Sequence, residues 1–151
     1  MEIRNPLSAD REEILRILGD NMSSHFMPEM KEELERVLKN EQIGFLAQND
    51  SSILGYITCL RTAETYKLET LAVDKSQQGK GYGRLLVDHI CSYLLNNTAG
   101  PVVVNVVTDD ASDDPVQEFY KKCGFSVSGI VENEFKLGDR QVHLTKILRE
   151  Q

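Results

Sequence analysis

Between Leu71 and Leu86 the chain runs Leu71 Ala72 Val73 Asp74, then Lys75 to Gln77, then Gln78 Gly79 Lys80 Gly81 Tyr82 Gly83 Arg84. A strand-like run meets three glycines at alternate positions and then a helix start. Glycines without Cβ atoms let the main chain approach an anion closely, while unpaired N–H groups and the helix dipole supply positive potential without any side chain. The chemistry this suits is the holding of a pyrophosphate. A tight strand-to-helix turn uses the same residues, so the glycines alone leave both readings open.

Two alternatives fall away on spacing. The loop lacks the Lys followed by Ser or Thr of a nucleotide P-loop, and its glycines do not follow the G-x-G-x-x-G of dinucleotide sites. Coenzyme A is then the leading pyrophosphate. Gln78 Gly79 Lys80 Gly81 Tyr82 Gly83 matches the cofactor motif of the GNAT superfamily of N-acetyltransferases: Gln or Arg, two residues, Gly, one residue, Gly or Ala. The preceding Leu71 to Asp74 and the later Phe119 Tyr120 Lys121 Lys122 Cys123 Gly124 Phe125 strengthen the resemblance.

The resemblance implies an acetyl-CoA-dependent N-acetyltransferase. In such a protein Tyr120 reaches the coenzyme A sulfur and protonates the leaving thiolate. A backbone N–H of Leu71, Ala72 or Val73 faces the oxyanion, and the pantetheine arm pairs with the strand Leu68 to Val73. Lys80 and Arg84 assist at phosphate. The segment Thr108 to Asp114 is longer than the family's usual connection, with Asp113 near a position often held by Asn.

An amine attacking a thioester must first lose a proton. At pH 7 an amine of pKa about 10.4 is neutral only about four times in ten thousand, a deficit of about 4.6 kcal/mol. Strand alternation puts Lys67, Glu69, Leu71 and Val73 on one face, which makes Glu69 the candidate base; pairing with Lys67 is the plainer alternative. Asn105 is the polar residue in the run Val102 to Val107, placed to bond substrate or an ordered water, or else satisfied within the core. Phe26 and His25 lie in an apolar connection, Met22 to Met27, that suggests contact with a substrate. His25, His89 and His143 are scattered, which points to no metal cluster.

The elements that must position these residues follow from hydrophobic period. Glu2 to Arg4 reads as a strand, and Ser8 is placed to cap a helix bearing Ile14, Ile17 and Leu18 on one face. A second helix carries Met30, Leu34, Val37 and Leu38. Gly44 to Gln48 and Ile53 to Arg61 make a hairpin, and Tyr66 to Val73 a third strand. Arg84 to Leu95 is a helix with Leu86, Ile90, Tyr93 and Leu94 on its stripe. Pro101 to Val107 is β-branched enough to be covered on both faces. Asp114 caps a helix from Pro115 whose stripe is Val116, Phe119, Tyr120 and Cys123. Phe125 to Phe135 and Arg140 to Leu148 close the chain as strands. The order is that of an α/β (α+β) fold, with a mixed, mostly antiparallel sheet of about seven strands and about four helices. By resemblance the sheet splays between the fourth and fifth strands.

Composition bounds the rest. The chain has 151 residues, 40% hydrophobic and 27% charged, enough for one domain over 1–151 with its own core. A net charge of −7 disfavours nucleic acid as partner and favours a small-molecule amine. No apolar run is long enough for a membrane span and the start has no basic and apolar leader, so the expected location is cytoplasmic. Cys59, Cys91 and Cys123 fit neither a disulfide framework nor a zinc site and read as buried small hydrophobes. A peptide N-terminal acetyltransferase and a non-catalytic acyl-CoA-binding module are the competing readings, and a homodimer is left open.

Overall fold

The hydrophobic periods become the elements expected of them, with shifts at their ends that have local causes. This is a computed structural model, which describes residues 1–109 and 115–151; Asp113 and Asp114, and with them the expected cap, lie outside the described residues. In chain order the elements are β1 (Glu2–Arg4), α1 (Arg11–Asn21), α2 (Met27–Leu38), β2 (Ile43–Asn49), β3 (Ser52–Thr62), β4 (Thr65–Val73), α3 (Tyr82–Asn97), β5 (Val102–Asp109), α4 (Pro115–Lys122), β6 (Ser126–Glu132) and β7 (Arg140–Arg149). The strand order is β1-β2-β3-β4-β5-β7-β6. The pairs β1–β2, β2–β3, β5–β7 and β6–β7 are antiparallel, and β4–β5 is parallel. The parallel pairing joins Tyr66 to Val104 and Lys67 to Asn105.

Two compact units make up the chain: Met1–Leu60 with Glu69–Ile90, and Arg61–Leu68 with Cys91–Gln151. In the first, Ile14, Ile17 and Leu18 of α1, Leu34 of α2, Leu46 of β2, Ile53 and Tyr56 of β3 and Ala72 of β4 form one core. Full burial of each large aliphatic among them contributes about 1.5–3 kcal/mol. β4 alternates as expected, with Tyr66, Leu68, Thr70 and Ala72 buried and Lys67, Glu69, Leu71 and Val73 on the more open face.

Ser8 does not cap α1. It opens a 3-10 turn, and the Asp10 carboxylate accepts the Leu7 N–H (2.7 Å) and two bonds from Arg4 (2.8 and 3.0 Å). A carboxylate held by a guanidinium is the stronger acceptor. α2 starts at Met27, earlier than its apolar spacing predicts, because Pro28 is preset for a first helical turn. On α3, Leu86, Ile90 and Leu94 are buried, but Tyr93 is an exposed residue, and Val87 and Cys91 complete the buried stripe instead. The stripe continues one position round the helix from where Tyr93 was expected to lie.

In the second unit β5 buries Val102, Val104, Val106 and Thr108, while Val103, Asn105 and Val107 are half-buried. The two-sided burial read from its β-branched run therefore holds in full on one face only. Tyr120 of α4 and Cys123 just beyond it are buried, Val116 is exposed, and Gly124 at φ 95° follows the helix. All three cysteines are buried and unbridged.

Candidate active site

The glycine loop leaves β4 under tight main-chain control. Asp74 N–H donates to Leu54 O (2.8 Å), and Gln77 N–H donates back to Asp74 O (2.8 Å), closing the turn Lys75–Gln77. Gly79 at φ 79° and Gly81 at φ 90° then occupy the left-handed region, where a Cβ is strained. A Cβ built on either meets no heavy atom within 4 Å, so the space over the loop is open. Gly83 differs, lying within the first turn of α3. The first backbone bond of that turn runs from Leu85 N–H to Gly81 O (3.1 Å), so among the described residues the amides of Tyr82, Gly83 and Arg84 have no carbonyl one turn back. Left-handed glycines, open space and first-turn amides suit a pyrophosphate.

Gln78 holds this loop from below. Its Nε2 donates to Asn21 Oδ1 (2.8 Å) and to Val73 O (3.1 Å), and Asn21 Nδ2 donates to the same Val73 O (3.1 Å) and to Ile17 O (2.8 Å). The first residue of the motif thus ties the loop to the end of α1 and the end of β4. Lys80 Nζ donates to Gln77 Oε1 (3.1 Å), and the exposed Arg84 stands 3.9 Å from Asp88.

Within the same unit a cavity of about 320 Å³ is lined by Glu69 and Thr70 of β4, Leu60 of β3, and Phe26 with α2 residues Glu29, Met30, Glu33 and Arg36. It brings together two residues singled out from sequence, Glu69 and Phe26. His25 packs edge-on against Phe26 (5.3 Å between ring centres) and is exposed. The carboxylate that sequence reasoning missed is Glu33, buried at 7% exposure. Thr58 and Thr70 hydroxyls donate to its Oε1 (3.0 and 2.7 Å) and Gln42 Nε2 to its Oε2 (2.8 Å). The signal was in the sequence: Met30, Glu33, Leu34 and Val37 share one helical stripe, and a carboxylate on an apolar stripe needs a reason. Nearby, the Tyr56 hydroxyl is buried without a partner among the described residues. Burial, and then the Glu33 charge, push its phenol well above the ordinary range.

The remaining predicted residues belong to the second unit. Tyr120 is 6% exposed and packs edge-on against Phe119 (5.1 Å) and Phe125 (5.6 Å). Burial raises its phenol well above the ordinary tyrosine value, and Cys123 adds to the shift. Asn105 Oδ1 accepts from Thr145 Oγ1 (2.8 Å), and its Nδ2 lies 3.5 Å from Thr65 Oγ1. His143 Nε2 meets Glu134 Oε1 at 2.6 Å. His89, in the first unit, packs against Phe45, and burial lowers its pKa.

Residues 11–125 match the acetyltransferase (GNAT) family, and the chain belongs to that family. It is an acetyltransferase that uses acetyl-CoA. The fold is similar to that of aminoglycoside 6'-N-acetyltransferase from Enterococcus faecium, at 17% identity and TM-score 0.84 over 100% of this chain and 99% of that one. An aminoglycoside 6'-N-acetyltransferase complexed with coenzyme A aligns at 16% identity and TM-score 0.80, over 100% and 99%. Ribosomal-protein-alanine N-acetyltransferase from Brucella melitensis aligns at 19% identity and TM-score 0.78, over 98% and 100%. No curated protein matches the sequence.

Proposed function

We propose that this acetyltransferase transfers an acetyl group to a primary amine of a small molecule, by direct attack of the amine on the thioester. The observation that carries this reading is Glu69, a carboxylate at the wall of a cavity of about 320 Å³. That volume lies at the small end of the roughly 300–1,000 Å³ of small-molecule sites. When bound, acetyl-CoA supplies the activated acetyl group and a thiolate leaving group.

The chain's own residues then have separate tasks. Amides of the turn Tyr82 to Arg84, with Gly79 and Gly81, hold the pyrophosphate, and Gln78 keeps their loop in place. Glu69 takes the ammonium proton, freeing the lone pair that forms the N–C bond as the C–S bond breaks. A backbone N–H among Leu71 to Val73 steadies the charge that develops on the thioester oxygen. Tyr120 gives its proton to the departing sulfur and regains one through solvent, to which the acetylated nitrogen sheds its remaining extra proton. Its raised pKa keeps the phenol protonated, and therefore able to donate, throughout the neutral range. Asn105 is a less direct participant, since Thr145 already engages its carbonyl.

We take the chain to act as one domain over 1–151, a reading supported by a family match that runs through both units. A cytoplasmic location agrees with three cysteines that are buried and unbridged. A homodimer is supported by the edge strand β6, where Val127, Ile130 and Val131 are exposed. Free-thiol release from acetyl-CoA is the test, using monoamines, diamines, amino sugars and N-terminal peptides. Saturable turnover with a small amine is expected. Turnover confined to peptides gives the peptide reading instead, and acetyl-CoA binding without turnover on any acceptor leaves a binding module.

A further inference from the structure

The cavity against α2 holds more negative charge than the transfer step uses. Among the described residues that line it, three are carboxylates, Glu29, Glu33 and Glu69, and one is a guanidinium, Arg36. With Glu69 committed to the proton of the reacting amine, Glu29 and Glu33 still outnumber Arg36. Glu33 is the informative member, because its three hydrogen bonds all come from neutral groups. Among the described residues no cation pairs with it. Arg36 is kept one amide away: its Nε donates to Gln42 Oε1 (3.1 Å), and Gln42 in turn donates to Glu33 (2.8 Å). A carboxylate withdrawn from water without a counter-ion is costly, and a cation entering the cavity relieves that cost.

We propose that the acceptor is a short aliphatic diamine, one amine reacting at Glu69 while Glu33 and Glu29 neutralise the second, ammonium end. This deepens the small-amine reading above and rests on Glu69 as the base. The rest of the lining agrees with it. Phe26, Met30 and Leu60 offer apolar surface for the methylenes between the two nitrogens, and Phe26 is half-exposed. A cavity of about 320 Å³ admits a short chain more readily than a multi-ring amino sugar. The charge balance also selects against acceptors that carry a carboxylate.

Diaminopentane, pentylamine and aminopentanoate have one chain length and differ at the far end, as cation, methyl and anion. The expected kcat/KM falls in that order, with diamine over monoamine by about 10- to 100-fold. Glu33→Gln should shrink the diamine's advantage to within about threefold while the KM for acetyl-CoA holds. Glu29→Lys, at an exposed position on the first turn of α2, should shrink it too, and carries the test if Glu33→Gln does not fold. Equal kcat/KM for diamine and monoamine, or an advantage untouched by both variants, overturns the proposal. Calorimetry with diaminopentane alone separates it from the reading on which it rests. Binding weakened by Glu33→Gln, with no acetyl transfer to any amine, keeps the cation site and removes the proposed transferase chemistry. Transfer to amines without diamine preference keeps the transferase and removes the cation site.

Discussion

The glycine loop and the α2 cavity belong to the same unit yet are specified in different ways. In the loop, the proposed function rests on main chain: Gly79 and Gly81 adopt φ values of 79° and 90°, and among the described residues the first backbone bond of α3 starts only at Leu85. Side chains there serve the loop's own shape, as the Gln78 bonds to Asn21 and Val73 show. In the cavity the proposed function rests on side chains from β3, β4 and α2, converging from positions as far apart as Phe26 and Thr70. A main-chain site tolerates few residue types and so is written as a contiguous motif. A side-chain site is set by packing, and can change its ligand without changing the fold.

Substitutions can break or sharpen this contrast. The largest expected effects belong to the side chains proposed to move protons. Tyr120→Phe removes a hydroxyl with little change in packing, and should lower kcat by about 10²- to 10⁴-fold with acetyl-CoA affinity held. Because the Tyr120 phenol titrates above the ordinary range, the wild-type rate should show no fall from its ionisation between neutral pH and about 10. A pH-rate profile of both proteins checks the two statements together. Glu69→Gln should lose about 10²- to 10³-fold at pH 7, and less as pH rises and more of the amine arrives neutral. A profile that parallels wild type would take the base role from Glu69.

Gly81→Val tests the main-chain side of the comparison. A β-branched residue forced to φ 90° should weaken acetyl-CoA binding by about 10- to 100-fold in calorimetry. Gly83→Ala should do far less, since that residue lies in an ordinary helical turn. Gln78→Ala should weaken binding by only about threefold to tenfold, through loss of the loop's tether. If it instead abolishes binding in a folded protein, the side chain contacts the ligand and the loop is not purely main-chain. The smallest effect is structural: Tyr56→Phe removes a buried hydroxyl without a partner among the described residues, and should raise stability by about 1 kcal/mol in denaturant titration.

The same contrast explains what could be read from sequence. The sequence of elements along the chain, the β4 face bearing Glu69 and the buried faces of α1 and α2 were legible because a period of 2 or 3.6 survives in the residue string. The glycine loop was legible because its conformational demand restricts residue type. Glu33 was not, although it sits on the stripe of Leu34 and Val37, because its partners Thr58 and Thr70 come from strands that only the fold brings to α2. Helix starts slipped where one side chain outcompeted another, as Asp10 did Ser8. Tyr93 shows that an apolar stripe fixes its buried edge to within about one residue, too coarse to settle a flanking aromatic.

The placing of β7 between β5 and β6 has a consequence for the chain as it is made. β5 and β6 each take β7 as antiparallel neighbour, from Asp109 with Gln141 and from Glu132 with Arg140. On a ribosome the strand that joins them therefore emerges after both. Until it arrives, the valine-rich β5 and the exposed apolar residues of β6 present open edges, while all the residues of the glycine loop have long been synthesised. Nascent chains stalled before Arg140 should consequently be the aggregation-prone species. A charge on β6 at Ile130 would protect them without touching the chemistry.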